Sequence, residues 1–339
     1  MTRGQSNRAV SSRWGHGLDR AADDAPPARA LAEVWRSLAG EPRRLPCKLF
    51  YDAAGSRLFE RITRLPEYYP TRTEVAILER SGREIGEAIG PRATIIEFGS
   101  GASMKTRLLL DALREPRVYV PIDISTEMLL SSARALAARY PNLDVRPVSG
   151  DYMHELELPL SADARDGAEA SGKRVAFFPG STIGNFEQDE AVSFLRRLRR
   201  GCGPTAELLI GVDLPKERAV LEAAYDDAAG VTARFNRNAL RVLNRDYGAS
   251  FRLEDFAHRS LWNEAAQRVE MHLVSQRDHA VRVGSRSFSL RAGEPIVTEH
   301  CYKYEPAAFQ LLAESAGFRV AQVWLDERRL FSVQRLVPA

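Results

Sequence analysis

The stretch IIEFGSGASMKT (95–106) holds an acid, two glycines and a lysine in the order used by nucleotide-binding turns. Counted from Gly99, it misses the phosphate-cradling G-x-x-x-x-G-K-[ST] loop by one residue, because Met104 stands in the second glycine's place before Lys105 and Thr106. Met104 also occupies the third-glycine place of a dinucleotide fingerprint, and no strand carries a magnesium-binding Asp in the right context. Counted from Glu97, the same stretch is an acidic strand end running into Gly99 and Gly101, where bare backbone can approach a ligand. Glu97 suits an ammonium group, met directly or through water. Asp123, closing VYVPID, suits a pair of ribose hydroxyls, and Asp151, in SGDY, suits an adenine amino group. Any one of these acids is most simply a solvated loop residue. Three on three successive strand tips describe a pocket for S-adenosylmethionine (SAM), with Lys105 pinning the turn or balancing the acids. The fourth tip, FFPGSTIGNF, offers Gly180 and Asn185 toward a transferable methyl group, or else it is only a turn; the strand-tip argument leaves both readings open.

Positioning such tips requires a particular set of elements. From Thr94 onward, short apolar runs (TIIEF, RVYVPIDI, LDVRPVSGDY, VAFFPG, ELLIGVDL) alternate with amphipathic stretches such as STEMLLSSARALAARY. That alternation predicts a Rossmann-like, doubly wound parallel sheet with crossover helices. The rhythm breaks after Leu214. Residues 216 to about 260 read as mostly helical, followed by period-two strands in RVEMHLVSQ, HAVRVG and RSFSLRAGEPIVTEHCYKY that suit an antiparallel sheet. The end of the chain reads as a helix and two strands that would complete the parallel sheet. The expected organisation is therefore one α/β domain (73–213 and 304–339) interrupted by an α+β lid domain (28–72 and 214–303), with 1–27 as a loosely ordered tail.

The bulk numbers narrow the function classes. In 339 residues, 48 basic and 45 acidic side chains nearly cancel, so nothing calls for nucleic acid or a membrane surface. No run is long enough to span a bilayer. The N-terminal stretch lacks the apolar core of a signal peptide, and its aspartates dilute the charge of a mitochondrial presequence. Cys47, Cys202 and Cys301 lie far apart in no metal-binding spacing, which points to a reducing cytoplasm, no disulfide framework and no metal. A monomer is expected.

Five segments together resemble the histidine-specific Nα-methyltransferases of ergothioneine biosynthesis: YDAAGSRLFERITRLPEYYPTRTE (51–74), EFGSGASMKT, PGSTIGNF, LLIGVDLPKERAVLEAAYDDAAGVTARFNRNAL and TEHCYKY. The similarity spans about residues 30–339. It implies a SAM-dependent enzyme that trimethylates the α-amine of L-histidine to hercynine, with the amino acid held between two domains. Carried onto matching positions, the SAM side comprises Gly99, Lys105, Asp123, Asp151 and Tyr152, to which the strand-tip reading adds Glu97 and Gly101. The amino-acid side comprises Tyr51, Tyr68, Gly180, Asn185, Tyr225, Met271, Glu299 and Cys301. In the family's terms, Asn185 and Tyr225 grip the carboxylate, Tyr51 and Asn185 orient the amine, and Glu299 with residue 301 reads the imidazole. Cys301 departs from the family's serine. A thiol hydrogen-bonds more weakly than a hydroxyl, which opens another aromatic amino acid, tryptophan for instance, as an alternative substrate.

Methyl transfer to an amine needs no strong base during attack. It needs a neutral nitrogen held close to the methyl with its lone pair aimed, an effect of roughly 7–11 kcal/mol at best. Tyrosine hydroxyls and an asparagine amide orient an amine without burying a second charge. A carboxylate beside the amine would favour the unreactive ammonium, so Glu299 is expected at the ring end. Phe186 is a candidate for an apolar wall beside the growing methyl groups.

Overall fold

The computed structural model describes residues 27–101, 104–160 and 172–339. The tail read over 1–27 lies outside these, except for Pro27, which opens the first helix, Pro27–Leu38. In chain order the strands are β1 (Arg43–Arg44), β2 (Thr94–Phe98), β3 (Val118–Asp123), β4 (Asp144–Val145), β5 (Val148–Ser149), β6 (Arg174–Phe178) and β7 (Glu207–Asp213). There follow β8 (Phe256–Asn263), β9 (Arg268–Ser275), β10 (His279–Val283), β11 (Arg286–Leu290), β12 (Pro295–Tyr302), β13 (Phe318–Leu325) and β14 (Phe331–Pro338).

The apolar runs of 94–213 pair as parallel strands, and helices Met104–Ala112, Thr126–Arg139 and Gln188–Cys202 make the crossovers after β2, β3 and β6. The large sheet has the order β13-β14-β7-β6-β2-β3-β4, with β5 also pairing β3. Every residue of β2 and β7 is buried, as in strands covered on both faces. Ile96, Phe178, Phe194 and Phe309 belong to the core on one face, and Ile77, Ile95, Tyr119 and Phe331 to the core on the other. The chain moves outward from β2 to β3 and β4, then returns to β6 on the opposite side of β2. That reversal opens a crevice beyond the carboxyl ends of β2 and β6, between the Gly99–Gly101 turn and Gly180.

One edge differs from expectation. β14 runs antiparallel to β7, and β13 antiparallel to β14, so the last two strands do not complete a parallel sheet. The reason is the length of their link. Asp326 Oδ1 accepts hydrogen bonds from the amides of Leu330 (2.6 Å) and Phe331 (2.8 Å), closing a tight turn that can only reverse direction.

A second sheet, β1-β12-β9-β8, is antiparallel apart from β1, which lies parallel on β12. β8 begins at Phe256, inside the stretch read as helical to about 260. Helices Ala53–Ile62, Arg218–Tyr225 and Val231–Tyr247 pack with this sheet around Phe50, Tyr69, Phe235, Val269 and Ile296. The YDAAG segment explains itself locally. Asp52 caps helix Ala53–Ile62 by accepting from the Gly55 amide (2.8 Å), and Gly55 is required because a Cβ there would sit 1.5 Å from the Phe50 carbonyl oxygen.

Candidate active site

On the cofactor side, Gly99 (φ +74°) and Gly101 (φ +44°) adopt the left-handed turn that the sequence requires. The Asp123 carboxylate at the tip of β3 is fixed from two directions. Gly101 N–H donates to its Oδ2 (3.1 Å) and Ser125 N–H to its Oδ1 (2.8 Å). Burial still raises its pKa above the ordinary carboxylate value, with these amides opposing. Asp151 is oriented in the same way by the Met153 amide (2.9 Å). Lys48, from the N-terminal segment, bonds Glu33 (2.6 Å) and stands 4.0 Å from Asp151. The Tyr152 ring packs edge-on against Phe98, Phe178 and Phe194, and lies 3.7 Å from where a Cβ on Gly99 would be. Ser100 Oγ is buried at the turn with no hydrogen-bond partner among the described residues. An open turn, an orphaned hydroxyl and two pre-aimed carboxylates fit the donor and acceptor set of a cationic nucleoside.

Glu97 has protein partners at this point of the fold. Its Oε2 accepts from the Thr106 hydroxyl (2.7 Å) and from the Tyr119 hydroxyl, which ties β2 to the helix Met104–Ala112. Burial pushes its pKa up to about 7, although both hydroxyls oppose the rise.

Lys105 reaches across the crevice rather than staying within its own turn. Its Nζ pairs with Glu74 (2.5 Å), whose two oxygens also accept from the Gly180 amide (2.9 and 3.1 Å). Glu74 is fully buried on helix Tyr69–Ile89, and Gly211 of β7 makes room for it, since a Cβ there would lie 2.1 Å from its Oε1. One carboxylate thus locks the glycine turn to the fourth strand tip. The sequence reading missed Glu74. Its signal was an acid on the same buried helical stripe as Ile77, Leu78 and Ser81.

All eight residues expected on the amino-acid side line one cavity: Tyr51, Tyr68, Gly180, Asn185, Tyr225, Met271, Glu299 and Cys301. They come from six separate places in the chain. Tyr51 follows the turn Cys47–Phe50 and packs edge-on with Phe59 and Phe235. Gly180 (φ +83°) ends the β6 tip. The turn Thr182–Asn185 presses against β12 so closely that a Cβ on Gly184 would sit 2.6 Å from the Tyr302 carbonyl oxygen. Asn185 Nδ2 therefore reaches Glu299 Oε1 at 2.9 Å. Glu299 and Cys301, two apart on β12, share a face, and Met271 of β9 is the register partner of Glu299. Burial lifts the Glu299 carboxyl to about 7, with Lys303 acting to lower it. Burial likewise holds Tyr51 and Tyr68 well above ordinary phenol values, so both stay neutral hydrogen-bonding groups.

Phe186 is not part of the wall. It is buried in the sheet core against Phe178 and Phe194, because the turn that aims Asn185 outward sends the next side chain inward. The cavity's apolar wall is Phe59, Ile62, Ala224 and Phe235.

Behind the cavity lies a buried charge network that the sequence reading did not anticipate. Asp213, at the end of β7, pairs with Lys303 (2.7 Å) and Lys216 (2.6 Å) and accepts from the Tyr69 hydroxyl (2.7 Å). Lys303 also donates to the Tyr225 hydroxyl (2.8 Å) and to Cys301 Sγ (3.1 Å), which lie 2.8 Å from each other. Burial opposes the charge on Lys303, but Asp213 above all raises its pKa well beyond the ordinary lysine value. For Lys216 burial wins and the pKa falls to about 8. The signal was present: Asp213, Lys216 and Lys303 all lie within the quoted motifs LLIGVDLPKER and TEHCYKY.

A doubly wound sheet with a glycine turn at its reversal point and a tyrosine-lined cavity beside it is a SAM-type methyltransferase arrangement. The family of SAM-dependent, histidine-specific methyltransferases matches residues 30–338, and the chain belongs to that family. It is 42% identical over 313 residues to a histidine N-alpha-methyltransferase of Mycolicibacterium smegmatis, covering 90% of this chain and 94% of that protein. It is 41% identical over 312 residues to the corresponding enzyme of Mycobacterium tuberculosis, covering 90% and 94%. A 4-dimethylallyltryptophan N-methyltransferase of Aspergillus fumigatus is 29% identical over 307 residues, covering 86% and 88%.

Proposed function

We infer that this protein transfers methyl groups from SAM to the α-amine of L-histidine, three in succession, giving hercynine as the first step toward ergothioneine. The observation that carries the reading is the convergence of Tyr51, Tyr68, Gly180, Asn185, Tyr225, Met271, Glu299 and Cys301 on one cavity beside the glycine turn. SAM, held by the Gly99–Gly101 turn, Lys105, Asp123, Asp151 and Tyr152, supplies an electrophilic methyl carbon.

The chain's own residues do the rest. The neutral phenol of Tyr51 and the Asn185 amide aim the amine. Glu299 takes the imidazole end, where its charge does not hold the amine in the ammonium form. Phe59, Ile62, Ala224 and Phe235 give an apolar wall against which successive methyl groups fit without losing hydrogen bonds. On this reading, residues 28–72 and 214–303 form the amino-acid lobe over the SAM-binding sheet. On this reading catalysis needs no metal. The three cysteines are free thiols, which suits a reducing cytoplasm.

Incubating the purified chain with SAM and a panel of amino acids tests the reading. Mass spectrometry should find histidine, and not tryptophan, carrying added methyl groups. The tryptophan reading keeps one specific support, the weaker thiol of Cys301 in the wall.

A further inference from the structure

Lys303 stands next to the cavity, and the mechanism above gives it no role. Its side chain is completely buried, and it stands behind the wall rather than in it. An ammonium has three hydrogens and no acceptor, and Lys303 has three acceptors within reach: Asp213 Oδ2 at 2.7 Å, Tyr225 Oη at 2.8 Å and Cys301 Sγ at 3.1 Å. All three hydrogens are committed. Tyr225 and Cys301 must then both accept from Lys303. At 2.8 Å apart they also share one of their own two hydrogens between them. The other hydrogen has no partner among the described residues, and both residues line the cavity. Whichever of the pair gives up its hydrogen to its neighbour, one donor is left over in the cavity lining, with the Lys303 charge against it.

We propose that Lys303 is a positioning residue that sets the orientation of the amino acid: by occupying the acceptor sites of the Tyr225–Cys301 pair, it leaves the Tyr225 hydroxyl to donate to the substrate carboxylate, keeps Cys301 at the ring end beside Glu299, and turns the amine toward Gly180 and Asn185. Without Lys303, the Tyr225 hydroxyl accepts as readily as it donates, and an amino acid can enter with its ammonium group there, its nitrogen facing away from the methyl donor. The Asp213–Lys303 contact also joins the end of β7 in the large sheet to the chain just after β12, so the same ammonium that sorts the substrate is anchored on the methyl-transfer side. This rests on the assignment of a free amino acid to the cavity.

The test compares histidine with histidinamide, which differs only in a neutral carboxamide, in the full chain and in Lys303→Met. Asp213 keeps Lys216 and the Tyr69 hydroxyl as partners in that variant, and SAM-binding heat checks that it is folded. The wild type should prefer histidine by roughly 10- to 100-fold in kcat/KM, the range for a hydrogen bond to a charged group. In Lys303→Met the preference should collapse to within about threefold, mainly through a higher KM for histidine, while histidinamide changes little. Lys303→Gln, which keeps a donor but no charge, should behave like Lys303→Met. A purely structural lysine would lower both substrates in parallel and keep the ratio, and that result overturns the proposal. A wild type that handles acid and amide equally overturns it without any variant. If the wild type methylates a different amino acid, the histidine reading fails, and the acid-against-amide comparison on that amino acid still decides the role of Lys303.

Discussion

The two halves of the site are held in place by different means. On the cofactor side, Asp123 and Asp151 are aimed by backbone amides of their own loop or of the neighbouring glycine turn, at most 22 residues away in sequence. On the amino-acid side, Asn185 is aimed by Glu299, 114 positions later, and Tyr225 by Lys303, 78 positions later. The first half is therefore built from local turn chemistry that any such sheet can reuse. The second depends on side chains distant in sequence that only the packed fold brings together, with Glu74 and Asp213 as the buried anions that join the two halves. Donor binding should thus survive changes that ruin acceptor recognition, and the reverse.

The largest expected effect breaks the acceptor half alone. Asn185→Ala should lower turnover of histidine by about two to three orders of magnitude, through lost aiming of the amine. SAM affinity, measured by calorimetry, should stay within a few-fold. Asp123→Ala should do the opposite, weakening SAM binding by about 100-fold, the equivalent of two charge-assisted hydrogen bonds.

The next effect is a pH dependence. Burial raises the Glu299 carboxyl to about 7, so it is mostly ionised, and gives a ring N–H a charge-assisted bond, only above that pH. Histidine affinity should weaken as pH falls through about 7, by up to about tenfold per unit. Glu299→Gln should remove the enzyme's share of this slope and leave only the ring's own titration near about 6.5. A wild-type affinity flat from pH 6 to 8 on the order of those values would count against Glu299 as the ring acceptor.

Smaller changes sharpen the contrast. Cys301→Ser places a better acceptor beside Lys303, worth about 1 kcal/mol, and should lower KM for histidine roughly fivefold. Asp52→Ala removes a helix cap and should cost about 1 kcal/mol, seen as a fall of a few degrees or less in Tm, with little change in either affinity.

This division also explains what was legible from the sequence. The glycine turn, Asp123 and Asp151 could be read because strand tips follow from hydrophobic periodicity, and the tips are held by backbone amides of their own or adjacent loops. The parallel strands were readable for the same reason. The antiparallel edge was not, because β13 and β14 look like any other strands until the turn at Asp326 fixes their direction. On the amino-acid side, the residues were reached through resemblance, since no local pattern places Met271 opposite Glu299. Phe186 was misassigned because an aromatic beside Asn185 looks the same in sequence whether it faces the cavity or the core. Lys303, Asp213 and Glu74 escaped because charged residues are normally solvated, and only the packed structure buries them.

The central claim is that the cavity beside the glycine turn presents the α-amine of histidine to the methyl donor. Time-resolved mass spectrometry of the purified chain with SAM and an equimolar mixture of histidine, tryptophan, phenylalanine and tyrosine addresses it most directly. The account predicts that histidine alone accumulates one, two and finally three methyl groups on its α-nitrogen. Unmodified histidine beside a methylated competitor would contradict it.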